Sequence, residues 1–230
     1  MKTILITGAS SGIGAEAALE LAAPDLKLVL VARRVERLAA IASECEAKGA
    51  HVTVLPLDLT DAHSISALAD SVGDSKDLSV VLNAGFAEFG SFHEQIPSQI
   101  DHAVDLMLKS PMKLVQAVLP QMLSSGTGHL VFVLSIAAKH DFPGAAIYSS
   151  VKGGLDSFAS SLHEEVRRKG IRVTRLYPGA VDTEIWTSGG PPRDKMIPAR
   201  DVGSAIAWIL HAPAGASIDE VTLMPRDGIL

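Results

Sequence analysis

Short apolar runs alternate with longer amphipathic segments along the whole chain. The apolar runs show little alternation of polar and apolar positions, which is typical of strands buried on both faces of a parallel sheet. We predict strands at Lys2–Thr7, Lys27–Ala32, His51–Pro56, Leu78–Asn83, His129–Leu134, Ile171–Leu176 and Glu220–Met224. We predict helices near Gly12–Ala23, Arg34–Lys48, Asp61–Val72, Pro97–Leu123, Ser149–Lys169 and Ala199–His211.

This order of elements predicts one α/β domain over residues 1–230. Successive βαβ units with right-handed crossovers give a doubly wound, Rossmann-like fold, here with a seven-stranded parallel sheet and helices on both faces. A Gly- and Pro-rich stretch at 187–198 is too short for a domain boundary. We interpret it as a mobile loop.

Composition narrows the classes of function. Hydrophobic residues make up 47% of the chain, enough for a large core, and the formal charge of −6 at pH 7 argues against a nucleic-acid surface. The single cysteine, Cys45, excludes an internal disulfide, and the eight histidines show no metal-ligand spacing. A strand follows Met1 at once and no apolar run approaches about 18 residues, so we expect no signal peptide, no membrane contact and a cytoplasmic location.

A glycine-rich turn separates the first predicted strand from the first helix. It reads Thr7-Gly8-Ala9-Ser10-Ser11-Gly12-Ile13-Gly14. Glycines let the backbone turn and approach a pyrophosphate, while the helix N-terminus offers free N–H groups and the positive end of its dipole. After the first strand of a βαβ unit, this turn predicts a dinucleotide site rather than a tight turn alone. The candidate contacts are Gly8, Ser10, Ser11, Ile13 and Gly14.

The glycine spacing resembles the TGxxxGxG motif of the short-chain dehydrogenase/reductase family, and the resemblance extends over nearly the whole chain. Further motifs follow in that family's order, namely Asp58-Leu59-Thr60, Asn83-Ala84-Gly85, Tyr148-Ser149-Ser150-Val151-Lys152, and Pro178-Gly179 with Thr183. The resemblance implies an oxidoreductase that interconverts a carbonyl and an alcohol on a small molecule. It places Asp58 and Leu59 beside the adenine, Asn83, Ala84 and Gly85 beneath the cofactor, and the loop of Pro178, Gly179, Val181 and Thr183 at the nicotinamide.

The end of the second strand predicts NADP(H) rather than NAD(H). An NAD site has an acidic residue there, bonded to the ribose hydroxyls, whereas this strand ends in Ala32-Arg33-Arg34. A guanidinium binds a 2′-phosphate with charge-assisted hydrogen bonds. The resemblance points the same way and favours Arg33 of the two arginines; the alternative is a pair of ordinary solvated charges.

Three residues are candidates for catalysis. Tyr148 and Lys152 are four residues apart on a predicted helix and therefore share a face. The lysine ammonium would favour the phenolate, so the pair suits proton transfer to or from a substrate oxygen. Ser135 ends the fifth strand, thirteen residues before Tyr148, as in the family, and would polarise the carbonyl. By resemblance, Tyr148 and Lys152 also contact the cofactor, with Lys152 holding the nicotinamide ribose.

One position departs from the family. The family's long helix carries an asparagine whose place is taken here by Met107, and Asn83 is the sole asparagine in the chain. In the family that asparagine supports a proton relay by keeping a helix irregularity whose carbonyl holds a water near the lysine. Pro111 has no N–H for the Met107 carbonyl, so we hypothesise that Pro111 leaves this carbonyl free for the water. A simple proline kink is the equal alternative.

Two other hypotheses about function remain beside the leading one. A cofactor-binding sensor or regulator without turnover is supported only by Met107, and a nucleotide-sugar epimerase or dehydratase is disfavoured by the glycine spacing and the chain length. By resemblance, a homodimer or homotetramer would form through Pro97–Leu123 and Ser149–Lys169. Phe86, Phe142 and Trp186 are candidates for an apolar substrate pocket, beneath the loop at 187–198.

Overall fold

The structure is a computed structural model that describes residues 1–73, 75–186, 190–213 and 215–230. Among these residues, seven strands form one parallel sheet in the order β3-β2-β1-β4-β5-β6-β9. The strands are β1 (Lys2–Thr7), β2 (Leu26–Ala32), β3 (His51–Pro56), β4 (Leu78–Leu82), β5 (Gly128–Val133), β6 (Ile171–Pro178) and β9 (Glu220–Leu223). The predicted doubly wound α/β fold with seven parallel strands is therefore confirmed.

Helices cover both faces of the sheet. They are α1 (Gly12–Leu21), α2 (Val35–Ala47), α3 (Ala62–Val72), α4 (Pro97–Val104), α5 (Ser110–Ser125), α6 (Ala146–Val166) and α7 (Ala199–Leu210). One core joins the sheet to α3, α5 and α6, and a second joins it to α1, α2 and α7. No helix among the described residues is long and apolar enough to cross a membrane.

Apart from shifts of one to a few residues at the ends of elements, two details differ from the sequence-based prediction. The predicted helix Pro97–Leu123 is divided into α4 and α5 by a π-helical segment at Asp105–Lys109. A short parallel pair, β7 (Val181–Asp182) and β8 (Ile197–Pro198), lies outside the main sheet. Strands of two residues leave no periodic signal in the sequence.

Candidate active site

The site lies where the strand order reverses. The chain leaves β1 toward β2 on one side, and β4 pairs with β1 on the other. In open α/β sheets this reversal leaves a crevice beyond the carboxyl ends of the strands, where ligands bind. The glycine loop after β1 and the segments after β4, β5 and β6 all begin at this edge.

Backbone geometry explains the glycines of the first loop. Gly8 and Gly12 have φ of 70° and 54°, in the left-handed region that side chains disfavour. A Cβ on Gly14 would lie 2.4 Å from the Gly8 carbonyl oxygen, so α1 packs against the loop only with glycine there. The loop thereby presents backbone N–H groups and the N-terminus of α1 to the crevice.

The Thr7 side chain ties β1 to the segment after β4. Its Oγ1 accepts hydrogen bonds from the N–H groups of Asn83 and Ala84, at 3.0 and 3.1 Å, and donates to the Val81 carbonyl at 3.3 Å. Asn83 Nδ2 donates to the Thr7 carbonyl at 3.0 Å. These bonds take Asn83 out of the ladder, which is why β4 ends at Leu82 and not at the predicted Asn83.

Arg34, rather than Arg33, reaches the glycine loop. The Arg34 Nε and Nη2 atoms lie 3.2 and 3.1 Å from Ser10 Oγ, and Nη2 also donates to Ser11 Oγ. Arg33 is largely exposed, with its Nη1 4.0 Å from the Asp58 carboxylate. Arg34 therefore provides a cation directly beside the loop.

Two further contacts build a cationic cluster at this end of the crevice. Arg34 Nη1 lies 2.7 Å from Glu184 Oε2, and Arg37 in α2 donates to the other oxygen of Glu184. These hydrogen bonds hold the pKa of the Glu184 carboxyl below its usual range. The cluster binds a carboxylate, and the same donors suit a phosphate.

The segment after β3 is shaped by a local turn. Asp58 accepts hydrogen bonds from the Thr60 N–H and hydroxyl, at 2.9 and 2.8 Å, and these bonds lower the pKa of Asp58. Leu59 is buried in the core beside α3 and α5. The motif thus has a structural role of its own in closing the β3–α3 connection.

Ser135, Tyr148 and Lys152 come together at the carboxyl end of β5. Ser135 follows this strand, and its Oγ accepts from the Ala137 N–H at 3.1 Å. Tyr148 and Lys152 are one turn apart in α6, which begins at Ala146 and so places Tyr148 in its first turn. Lys152 Nζ donates to the Val133 carbonyl at 2.9 Å and lies 5.8 Å from the centre of the Tyr148 ring.

Burial governs the protonation of this pair. Burial raises the pKa of the Tyr148 phenol, and a hydrogen bond with Ser135 partly offsets the rise. Burial lowers the pKa of Lys152 from 10.5 to about 8. Instead of the lowered Tyr148 pKa that the sequence predicts, the site therefore holds a neutral phenol at neutral pH, which is a proton donor.

Ser135 and Tyr148 face a cavity of about 310 Å³. Several of the predicted cofactor contacts line the same cavity, namely Ile13, Pro178, Gly179, Val181 and Thr183. Among the described residues around it, none has a charged side chain. The cavity is thus largely apolar, with hydroxyl groups only on Ser135, Tyr148 and Thr183 among its described lining residues.

Aromatic side chains beside Tyr148 form another part of the cavity lining. Phe89 stacks on Trp186 with ring centres 5.1 Å apart and meets the Tyr148 ring edge-on at 5.9 Å. Phe142 and Trp186 line the cavity as predicted. Phe86 does not, because it stacks on His102 at 4.7 Å and packs beside α4.

The loop after β6 is fixed at several points. The Gly179 N–H donates to the Leu223 carbonyl at 2.8 Å, and a Cβ on Gly179 would lie 2.6 Å from Pro225. Trp186 Nε1 donates to the Val181 carbonyl at 3.0 Å. Of the predicted mobile loop, 187–189 lies outside the described residues, while Gly190 and Pro191 line the cavity and the last two residues form β8.

An irregular helix lies behind Lys152. The Ser110 N–H donates to the Asp105 carbonyl, five residues back, in the π-helical segment that contains Met107. Met107 is buried, and its Sδ would lie 3.2 Å from a Cβ on Gly85. The irregularity is thus present in a chain with no asparagine at this position.

A second, much smaller cavity of about 10 Å³ separates this helix from Lys152. Met107, Pro111 and Lys152 line it together with Thr7 and Ala84. A space of this size holds about one water molecule when polar partners are near. Thr7, Ser110 and Lys152 are lining residues that carry polar groups.

Sequence reasoning missed three residues of the site. Arg37 and Glu184 complete the cationic cluster, but each reads as an ordinary surface charge in the sequence. Phe89 lies in an irregular segment with no periodicity. A signal was available only for Arg37, since it follows Arg34 by one helical turn and so shares its face.

Comparisons with known proteins agree with this arrangement. Residues 2–193 match the family described as short chain dehydrogenase. An uncharacterized oxidoreductase of Staphylococcus aureus (strain MW2) is 30% identical over 226 residues, which are 97% of each chain. A solved metagenomic short-chain oxidoreductase in complex with NADP is 30% identical, with a TM-score of 0.85 over 97% of this chain and 96% of that one. The alcohol dehydrogenase of the archaeon Thermococcus sibiricus, complexed with 5-hydroxy-NADP, is 28% identical, with a TM-score of 0.88 over the same shares. The chain belongs to the short-chain dehydrogenase family.

Proposed function

We propose that this protein is an NADP(H)-dependent oxidoreductase that interconverts a carbonyl and an alcohol on an apolar small molecule. One observation carries the proposal. Ser135 and Tyr148 both line a largely apolar cavity, with Lys152 one helical turn behind Tyr148 and Ile13 of the glycine loop at the same cavity. This is the arrangement that proton transfer beside a bound dinucleotide requires.

The choice of NADP(H) rests on the cationic cluster. Arg34 and Arg37 already hold an anion, the Glu184 carboxylate, next to the Ser10 hydroxyl. A 2′-phosphate presents the same kind of acceptor oxygens with more charge. Two similar solved structures hold NADP or 5-hydroxy-NADP. The remaining proposed contacts are Gly8, Ser11, Ile13, Gly14, Arg33, Asp58, Leu59, Asn83, Ala84, Gly85, Pro178, Gly179, Val181 and Thr183.

The cofactor would supply a hydride to the carbonyl carbon, and the protein would handle the proton. In the reductive direction the neutral Tyr148 hydroxyl donates its proton to the substrate oxygen, while the Ser135 hydroxyl donates a hydrogen bond to the same oxygen. Lys152, charged below pH 8, stabilises the phenolate that remains and holds the nicotinamide ribose.

The cavity favours neutral substrates with an apolar body. A carboxylate or phosphate on the substrate would lose its water with no cationic side chain among the described lining residues to replace it. Phe89 and Trp186 offer aromatic faces on which a ring stacks. We therefore expect aryl or branched aliphatic aldehydes and ketones to be preferred over keto acids.

The test is oxidation of NADPH, followed by its absorbance, against apolar aldehydes, ketones, diketones and quinones. Each ketone is paired with a keto acid of similar size, and NADH is measured in parallel. Turnover with NADPH and the uncharged member of each pair supports the proposal. Tight NADPH binding with no turnover on any compound would favour a cofactor-binding regulator instead.

We expect Arg34→Gln to weaken NADPH binding about 10- to 100-fold, since hydrogen bonds between charged groups contribute about 1.5–3 kcal/mol. NADH affinity should change less than about threefold. Fluorescence titration of both cofactors measures the two constants. The neighbouring variant Arg33→Gln is the control and should have the smaller effect on NADPH; equal effects would contradict the assignment of Arg34.

We further propose that the carbonyl of Met107 faces the small cavity and shares a water with Lys152. Pro111 is the residue that would keep this carbonyl unpaired, because it has no N–H to donate. Pro111→Ala should then lower kcat about tenfold and leave the NADPH dissociation constant unchanged. Pro120→Ala, in an exposed position of the same helix, is the control. Unchanged kcat in Pro111→Ala would count against the water relay.

A further inference from the structure

Glu184 joins two parts of the crevice that are far apart in the chain. It follows β7, whereas the arginines that it binds lie at the start of α2 and one turn later. Its two carboxylate oxygens are divided between them, with Oε2 2.7 Å from Arg34 Nη1 and Oε1 on Arg37. Both arginines and Glu184 are about half exposed, so the bridge can open without disturbing the core.

The bridge lies against the glycine loop, where the proposed cofactor would bind. Arg34 holds Ser10 and Ser11 of the glycine loop with the same guanidinium that binds Glu184. On the other side, Thr183 packs against this loop, because a Cβ on Gly12 would lie 3.0 Å from the Thr183 methyl. The loop after β7 is therefore drawn against the glycine loop by the ion pairs at Glu184.

A 2′-phosphate and the Glu184 carboxylate need the same donors. The guanidinium has donors arranged in a fixed fork, and two anions on one fork repel each other. We propose that Glu184 is a selectivity residue that occupies the phosphate-binding arginine pair, so that the 2′-phosphate binds by displacing it. This inference rests on the proposed use of NADP(H).

Displacement of Glu184 would also affect the substrate cavity, because Trp186 lies two residues further along the chain. Trp186 forms part of the cavity wall, stacks on Phe89 and is held by the Val181 carbonyl. Release of Glu184 removes one restraint on the segment that carries this indole, while the hydrogen bond to Val181 remains. A cofactor without the 2′-phosphate leaves the ion pairs in place, so only NADP(H) would reset the position of Trp186.

The binding test uses adenosine 2′,5′-bisphosphate, which carries the 2′-phosphate but no nicotinamide, and 5′-AMP as its unphosphorylated counterpart. Glu184→Gln removes the competing charge. Calorimetry should then give a dissociation constant for the bisphosphate that is about threefold to tenfold lower, which is the free energy that two exposed ion pairs contribute. Binding of 5′-AMP should be unchanged. The control is Asp182→Asn, which removes a nearby carboxylate, in β7, that is paired with Arg193 instead.

A second readout follows the loop itself. The chain has two tryptophans, and Trp208 is 60% exposed on α7, so Trp208→Phe leaves Trp186 as the reporter. In this background the bisphosphate should change the emission of Trp186, and 5′-AMP should not. When Glu184→Gln is added to this background, the emission without ligand should already be shifted, and the bisphosphate should not change it further.

The outcomes separate this inference from the proposed function. No binding of the bisphosphate to the wild type would overturn the proposed cofactor and this inference together. Normal wild-type binding with an unchanged or weaker affinity in Glu184→Gln would overturn this inference alone. An emission change that is equal for the bisphosphate and 5′-AMP would overturn the coupling to Trp186.

Discussion

Tyr148→Phe should lower the rate of carbonyl reduction by about 10²- to 10⁴-fold, the range expected when a positioned proton donor is removed. The substitution takes away one oxygen and leaves the ring that meets Phe89 edge-on. The NADPH dissociation constant should therefore stay within about twofold of the wild-type value. Steady-state kinetics and a fluorescence titration of NADPH measure the two effects separately.

The other tyrosine of the chain provides a matched control. Tyr177 is fully buried in β6, and its hydroxyl donates to Asp156 at 2.7 Å. Tyr177→Phe should cost about 1.5–3 kcal/mol of stability, because the lost hydrogen bond is to a carboxylate, while turnover persists. If both phenylalanine variants lose turnover to the same degree, the loss is structural, and the assignment of Tyr148 as proton donor is wrong.

Lys152→Met should abolish most turnover and, at neutral pH, stabilise the fold. Lys152 is 5% exposed, and its charge is held in the core with the Val133 carbonyl as its one recorded hydrogen-bond acceptor among the described residues. Methionine fills a similar volume without a charge to desolvate. After allowing for the lost hydrogen bond, we expect a gain of about 1–2 kcal/mol in the free energy of unfolding.

The pH dependence of this gain has a definite sign. The pKa of Lys152 is lowered from 10.5 to about 8, so between these values the unfolded chain binds the proton that the folded chain releases. Wild-type stability therefore rises with pH across this window relative to the variant, and the cost of burial is fully present below pH 8. Thermal unfolding at pH 7 and pH 10 should show a gain for Lys152→Met at the lower pH that is absent or reversed at the higher.

Lys169, exposed just after α6, is the control for this experiment. Lys169→Met removes the same charge from the surface and should give no comparable gain at pH 7. A Lys152→Met variant that is less stable than the wild type at pH 7 would contradict the view of Lys152 as a buried charge kept for function.

The sequence was a good guide wherever one physical signal dominated. Apolar runs without alternation predicted the strands of the parallel sheet, because burial on both faces leaves no polar positions. The glycine loop was recognisable because its backbone angles exclude most side chains. The four-residue spacing of Tyr148 and Lys152 suggested a shared helix face, but only together with Ser135 and the glycine loop did it indicate catalysis rather than an exposed pair.

Other features depended on contacts that no local pattern encodes. The choice between Arg33 and Arg34 depends on which side chain turns toward Ser10, and both directions are open to consecutive residues at a strand end. Phe89 reaches the site because an irregular segment brings it to Trp186. The raised pKa of Tyr148 follows from burial, which outweighs the lowering effect of the Ser135 hydrogen bond.

The hydrogen bonds of Thr7 have a consequence for the binding and release of ligands. They join the carboxyl ends of β1 and β4. This side of the crevice is therefore already ordered before a ligand binds. The loop after β7 lies on the other side of the crevice, where the exposed ion pairs of Glu184 help to hold it. We expect the ordering that accompanies binding, and the rate of release, to depend mainly on this loop. The residence time of a ligand would then be set at the surface of this protein, at some distance from the tyrosine that does its chemistry.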